Sequence, residues 1–319
     1  MKILVTGGTG FLGSVLVDML VRRGNDDVSV LSASGRSADG AKAIQASITD
    51  RDAMHRLIRG FDVVCHLAAT VDESLPLNEI YRINVDGTVN VFDACIENGI
   101  PKVVYASSVG IYGDLNGLIG NESSPMNAAS SYERTKKEVE YLIPAFRQRG
   151  LTLINLRPVI VYGPGSPMWH KTVANIISGK PYIGTGQNKW PLVHVDDAAD
   201  AFLLAIDSDD EINDDFIITG PRAYPYKDIV KAIKNSVNRK LPVPRIPLTI
   251  LSFLSWVNKV MNSVVGVPYV VTPFKVKRFS RDREFITNKA KEAFGYQPKI
   301  DLSEGIQSLV AYHKKYFDK

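Results

Sequence analysis

Short apolar runs alternate with segments of helical period along the first half of the chain. Ile3-Leu4-Val5 leads into a glycine-rich turn, Gly7-Gly8-Thr9-Gly10-Phe11-Leu12-Gly13, and Phe11, Leu12, Val15, Leu16, Met19 and Leu20 then recur at i, i+3, i+4 spacing. The pattern predicts a strand over 1–6, a tight turn and an amphipathic helix. Further strands are expected at 28–31, 43–46, 62–67, 102–106 and 151–156, and helices at 51–58, 78–97 and 131–149. Asn98-Gly99 marks the end of the helix at 78–97. Strands alternating with helices form right-handed βαβ units, so the expected fold class is α/β with a doubly wound parallel sheet.

The alternation loosens after Gly163-Pro164-Gly165-Ser166-Pro167. That turn sets an expected boundary between a dinucleotide-binding domain, 1–165, and a mainly substrate-binding domain, 166–319. Within the second part, a strand at 192–195, a helix at 196–206 and a strand at 216–219 place 190–220 to pack back on the first domain. Beyond Pro221 prolines separate short helices, and 302–316 is a last amphipathic helix. The stretch 246–271 is rich in large apolar residues, but Asn258, Lys259 and Asn262 interrupt it and Pro247 and Pro268 lie near its ends. It reads as a core-packing helix, a pocket wall or a membrane-surface contact, not as a transmembrane segment. A basic group, Lys275, Lys277, Arg278, Arg281 and Arg283, lies just beyond it.

Composition narrows the class. With 319 residues, 45% of them hydrophobic, the chain has ample material for a core, and a net charge of +4 gives no case for a nucleic-acid partner. Cys65 and Cys95 both lie in apolar segments, so no disulfide framework is expected and a reducing, cytoplasmic setting fits. Lys2 leads straight into a strand, which does not read as a signal peptide. The five histidines show no metal-ligand spacing, and no metal is expected.

Three features carry chemistry. The strand–glycine turn–helix succession makes a phosphate cradle, because glycine permits close backbone approach and a helix N-terminus favours an anion. Tyr132 and Lys136 stand four residues apart near the start of a helix, so phenol and ammonium share one face. A nearby cation favours the phenolate, which would bring the phenol down toward a working proton shuttle. By itself this spacing is common on surface helices. Ser107-Ser108, at the C-terminal end of a strand on the same rim as the glycine turn, adds a hydroxyl that can bind a substrate oxygen.

The motifs together resemble the extended short-chain dehydrogenase/reductase family. The resemblance rests on Thr6-Gly7-Gly8-Thr9-Gly10-Phe11-Leu12-Gly13, Asp62-Val63-Val64-Cys65-His66-Leu67-Ala68-Ala69, Asn84-Val85-Asp86-Gly87-Thr88, Ser107-Ser108-Val109-Gly110-Ile111-Tyr112-Gly113, Tyr132-x-x-x-Lys136 and Leu156-Arg157-Pro158-Val159-Ile160-Val161-Tyr162-Gly163-Pro164-Gly165, in the family's order and spacing. Val193-His194-Val195-Asp196-Asp197 and Phe294-Gly295-Tyr296-Gln297-Pro298 extend it over nearly the whole chain. It implies an NAD(P)-dependent enzyme with Tyr132 as acid/base. Lys136 would hold the nicotinamide ribose and lower the phenol's pKa, and Ser108, four residues before Tyr112, would orient the substrate oxygen. Gly7, Gly10, Phe11, Leu12 and Gly13 would clamp the diphosphate. Leu67, Ala68 and Ala69 would pass beside the ribose and diphosphate, Ile48 would pack on the adenine, and Pro158 and Ile160 would join the cofactor contacts. Asn84 falls near the nicotinamide side or serves the helix itself. His66 reads as a buried strand residue and His194 as a domain-packing one. The family often forms homodimers through a four-helix bundle, here supplied by 78–97 and 131–149.

Ser32 stands where an NAD enzyme of this kind carries a carboxylate for the ribose 2′-hydroxyl. With Ser34 and Arg36 following, the turn favours NADP over NAD, unless Arg36 is simply a solvated loop residue. For the reaction, Arg157-Pro158-Val159-Ile160 lacks the Asn usual in nucleotide-sugar enzymes and resembles the dihydroflavonol reductase and 3β-hydroxysteroid dehydrogenase branch. The expected function is therefore hydride transfer between nicotinamide and a hydrophobic ketone, aldehyde or alcohol. A nucleotide-sugar 4-epimerase or dehydratase with tightly held NAD is the alternative. A non-catalytic cofactor-binding regulator is a third class, against which the intact Ser-Tyr-Lys set argues.

Overall fold

A computed structural model describes residues 1–238, 243–250, 253, 256, 282–286 and 288–317. At its centre lies a seven-stranded parallel sheet of β1 (Lys2–Thr6), β2 (Asp27–Ser32), β3 (Lys42–Gln45), β4 (Val63–His66), β5 (Lys102–Ala106), β7 (Leu153–Pro158) and β11 (Asp215–Ile218). Their order is β11-β7-β5-β4-β1-β2-β3. Chain direction across the sheet reverses between β1 and β4, and a ligand crevice belongs beyond the C-terminal ends of those two strands. Smaller sheets join β8 (Ile160–Tyr162), β10 (Lys189–His194) and β12 (Ala223–Pro225), β9 (Tyr182–Ile183) with β13 (Arg245–Ile246), and β6 (Ile119–Gly120) with β14 (Glu284–Phe285).

Helices cover both faces, which is why the central strands β1, β4 and β5 are buried along nearly their whole length, while the edge strand β3 stays largely exposed. On one face α1 (Phe11–Arg23) packs against α7 (Val195–Asp207), with Leu16, Val17, Leu20, Ala198 and Phe202 in a common core. On the other, α2 (Arg51–Leu57), α4 (Gly87–Glu97) and α5 (Ser131–Gln148) bury Met54, Phe92, Val139, Ile143 and Phe146. A third core, holding Tyr162, Trp169, Val173, Ile229 and Ile306, lies among α6 (Pro167–Ile177), α8 (Tyr226–Ser236) and the C-terminal helix Leu302–Phe317. The second half of the chain also returns to the main sheet, because β11 pairs with β7 at Phe216↔Leu156.

The helix expected over 78–97 is present and carries a π-turn. A short α3 (Leu77–Tyr81) passes through a π-helical turn, Arg82–Asp86, before α4 begins. The extra residue in that turn lets the buried Asn84 side chain leave the helix axis. It bonds Thr70 at both backbone atoms and the Thr135 hydroxyl. Of the apolar stretch 246–271, only 246–250, Phe253 and Trp256 lie among the described residues, as does only Arg283 of the basic group. Ile250, Phe253 and Trp256 are 50, 62 and 63% exposed, so these three are not core residues. No helix among the described residues is long and apolar enough to cross a membrane.

Candidate active site

The glycine turn is built from backbone proximity. Gly7 has φ 72°, and a Cβ on it would lie 2.6 Å from the Ala68 nitrogen, so the end of β1 and the segment Leu67–Ala69 run backbone to backbone. A Cβ on Gly13 would collide with the Gly7 carbonyl oxygen. Gly10 caps α1 without a side chain to bond the first-turn N–H groups, and no acidic residue stands in that turn. The N–H groups of Phe11 and Leu12 are therefore left to face an anion. These residues fit a dinucleotide diphosphate.

The flanking residues keep to the same rim. Ile48 is buried, and the missing side chain of Gly87 makes room for it: a Cβ there would stand 2.7 Å from Ile48 Cδ1. Pro158 ends β7 and is buried, and Ile160 begins β8 half-buried. At the end of β2 the Ser32 hydroxyl donates to the Arg36 carbonyl at 3.0 Å, and the Arg36 N–H donates to Ser34 Oγ at 3.4 Å. Ser32 is thus occupied inside its own turn. Arg36 is exposed and makes no ion pair among the described residues.

The reactive groups converge at the start of α5. Ser130 caps this helix through a capping box: its Oγ accepts from the Glu133 N–H, and the Glu133 carboxylate accepts from Ser130 N–H. The cap sets Tyr132 in the first turn and Lys136 one turn below it. Ser108 Oγ accepts from Gly110 N–H at 3.0 Å, which leaves its own proton to give. The Ser108 hydroxyl lies close enough to the Tyr132 phenol to favour its ionised form. Lys136 is buried and donates to the Ala106 carbonyl at 2.6 Å and to the Tyr105 hydroxyl at 3.2 Å. Burial lowers its pKa to about 7 despite the attraction of Glu140.

The expected lowering of the phenol is not what the structure has. Desolvation, with Glu133 adding to it, pushes Tyr132 up to about 12, and the Ser108 hydroxyl pulls it only partly back. The reason is geometric: Lys136 Nζ sits 6.0 Å from the centre of the Tyr132 ring and spends two of its donors on Ala106 and Tyr105.

Beneath the rim lies a buried polar network that motif reading does not single out. Arg157 donates to Glu140 through Nε at 2.9 Å and Nη2 at 2.6 Å, to Asp215 at 2.7 Å and to the Tyr112 hydroxyl at 2.8 Å. Glu140 also accepts from Ser107 Oγ at 2.5 Å and Asn155 Nδ2 at 2.9 Å. Ser107, next to Ser108, is thereby tied to the helix that carries Tyr132 and Lys136. The available signal was an arginine inside an apolar strand, which must find buried partners. His66 is buried in β4 with both ring nitrogens bonded, and His194 caps α7 with Nε2 3.2 Å from Ser308 Oγ. Asp197 accepts from Lys299 and Ile300 N–H at 3.0 Å each, fastening the C-terminal segment. A separate cavity of about 600 Å³ lies between α6 and the C-terminal helix, beside His170, Lys171, Tyr312 and Phe317, and none of the reactive residues lines it.

The sequence model of the NAD dependent epimerase/dehydratase family matches residues 3–219. The chain belongs to this family. It is thus an enzyme of the extended short-chain dehydrogenase/reductase type. Among its relatives is 3beta-hydroxysteroid-dehydrogenase/decarboxylase isoform 1 of Arabidopsis thaliana, 29% identical over 96% of this chain and 78% of that protein. The chain spans only 61% of isoform 2. A putative UDP-glucose 4-epimerase of Methanocaldococcus jannaschii is 30% identical over 98% of both chains. The solved UDP-glucose 4-epimerase of Thermotoga maritima with UDP-glucose superimposes with a TM-score of 0.80 at 25% identity, covering 99% of each chain. The superposition with that epimerase thus extends over both the main sheet and the second half of the chain.

Proposed function

We propose that this enzyme transfers a hydride between a nicotinamide and the carbonyl or carbinol carbon of a hydrophobic substrate, with NADP(H) favoured over NAD(H). The observation that carries the reading is the convergence of Ser108, Tyr132 and Lys136 on one rim with the glycine turn. A bound nicotinamide supplies or takes the hydride. Tyr132 gives its proton to the substrate oxygen in reduction and takes it back in oxidation. Ser108, whose lone pair is engaged by Gly110, donates a hydrogen bond to the same oxygen as charge develops. Lys136, whose pKa burial lowers to about 7, binds ribose hydroxyls and supports the phenolate once it forms. Gly7, Gly10, Phe11, Leu12 and Gly13 hold the diphosphate, with Leu67, Ala68, Ala69 and Ile48 along the adenosine side. Ile160, apolar where nucleotide-sugar enzymes use Asn, supports a hydrophobic substrate, and relatedness to a hydroxysteroid dehydrogenase agrees.

Tyr132→Phe should lose at least about a hundredfold in turnover with cofactor affinity retained, since proton transfer contributes that order. Full activity would refute the assignment. For the 2′-phosphate, the exposed Arg36 and Ser34 are the ligands, because Ser32 is committed to the Arg36 carbonyl. Arg36→Ala should weaken NADPH by roughly tenfold while leaving NADH unchanged, as for loss of one charge-assisted contact. A wild-type preference for NADH in titration calorimetry would overturn the cofactor choice. The second reading, a nucleotide-sugar 4-epimerase, draws support from the 30% identical putative epimerase. It predicts sugar-nucleotide interconversion with no net NAD(P)H turnover, which a two-panel assay separates from consumption of NADPH by hydrophobic ketones.

A further inference from the structure

Lys136 has three donors as an ammonium, and two are already directed into the protein, to the Ala106 carbonyl and the Tyr105 hydroxyl. Tyr105 is held by its stack on His66, and His66 by a chain of hydrogen bonds whose direction can be deduced. Thr88 Oγ1 donates to the Asn84 carbonyl at 2.7 Å in the π-helical turn, so its single proton is used. Thr88 Oγ1 must then accept from its other hydrogen-bond partner, His66 Nε2, at 2.9 Å. His66 is therefore the Nε2–H tautomer, and its Nδ1 accepts from Thr6 Oγ1 at 2.7 Å. Thr6 Oγ1 in turn accepts from Ala68 N–H at 3.3 Å. The His66 and Tyr105 rings stack at 5.6 Å with 19° between planes, and Phe92 closes the other side of both. Every donor in this chain has one destination.

We propose that Tyr105, Thr88 and His66 are positioning residues that hold Lys136 with its third N–H turned toward the catalytic rim and couple that pose, through Thr6, to the strand end bearing the glycine turn. None of the three meets the reacting atoms; each acts through Lys136. The network joins β1, β4, β5 and α4 to α5 at one point, so a cofactor-binding turn and a catalytic lysine on different elements share one rigid frame. His66 suits the role because burial, with Lys136 nearby, lowers its pKa to about 3, and it stays neutral with its tautomer fixed. The other titratable groups facing Lys136 are Glu140 one turn below it, Tyr132 above it and Tyr105 from β5.

The role assigned to Lys136 rests on the proposed hydride-transfer function, so the deciding measurement is independent of turnover. Lys136 is titrated by NMR of its 13Cε resonance in lysine-labelled protein, assigned with Lys136→Arg. Tyr105→Phe removes one oxygen and keeps the stacked ring. It should move the Lys136 midpoint down by roughly half a pH unit or more, since the ammonium loses an acceptor that the amine needs less. Thr88→Val, which deprives His66 of its acceptor and so loosens the ring stacked on Tyr105, should shift it the same way, and Thr88→Ser should restore it. In the kinetic arm, Tyr105→Phe lowers kcat and moves the pH profile by the same amount, while the substrate KM stays near wild type. An unchanged Lys136 titration in Tyr105→Phe overturns the proposal whatever the activity. If Thr88→Val does not fold, Tyr105→Phe alone decides. If the wild-type chain turns over no ketone or alcohol, the hydride-transfer reading falls and the titration still tests the positioning.

Discussion

The buried Arg157–Glu140 pair offers the sharpest test of how the rim is held. Both side chains are nearly inaccessible, at 2 and 1%, and two hydrogen bonds join them, at 2.9 and 2.6 Å. Arg157→Met leaves the Glu140 carboxylate with only Ser107 and Asn155 as donors, while Asp215 keeps Arg147 at 3.0 Å. An uncompensated buried charge of this kind costs about 3–5 kcal/mol. Against a total stability of roughly 5–15 kcal/mol, that is a loss of a third or more in many domains. Glu140→Gln alone leaves the guanidinium with Asp215 at 2.7 Å as its remaining carboxylate and should cost less. The double variant Arg157→Met, Glu140→Gln removes both charges together, and its loss should fall short of the summed single losses by at least ~2 kcal/mol. Urea unfolding followed by far-ultraviolet circular dichroism and by tryptophan fluorescence supplies the four stabilities. Additive losses, within about 0.5 kcal/mol, would refute the claim that the pair is a coupled support. Because Ser107 hangs from Glu140, each single variant should also lose turnover through displacement of the neighbouring Ser108.

Other consequences follow from the same geometry. Lys136 releases its proton near pH 7 in the folded chain and near its ordinary 10.5 when unfolded, so the unfolded state holds the extra proton between these values. Stability should therefore rise with pH across that window, by up to about 5 kcal/mol less what the lysine's hydrogen bonds return. Lys136→Met should flatten the rise and be more stable than wild type at pH 6, as measured by thermal midpoint; an unaltered slope would count against the buried-lysine assignment. Gly7→Ala places a methyl 2.6 Å from the Ala68 nitrogen at φ 72°. It should abolish measurable dinucleotide binding in calorimetry, whereas wild-type affinity would show that the turn is not the clamp.

Local pattern reached far into this molecule. The strand–turn–helix at the N-terminus, the parallel sheet and the Ser108, Tyr132 and Lys136 positions were all legible, because each depends on periodicity, on glycine where no Cβ fits, or on spacing within one element. Element ends shifted by a residue or two, as at β7, which runs on to Pro158. The return of 215–218 to the main sheet could be anticipated from the apolar run at Phe216, but its partner could not: which strand it joins is set by β7 at the open edge.

What only the tertiary structure decided was electrostatic. The spacing of Tyr132 and Lys136 predicts a lowered phenol, yet the phenol stands at about 12 because burial raises it and the lysine is bonded elsewhere. The helix expected over 78–97 carries a π-turn around Asn84, a detail that depends on side-chain partners, Thr70 and Thr135, lying outside that helix. Glu140 and Asp215 lie 17 and 58 residues from Arg157 in the chain, and nothing local marks them as its partners. Periodicity is a property of neighbours in sequence. Charge compensation and desolvation depend on which groups the fold brings within a few ångströms, and so they belong to the folded chain alone.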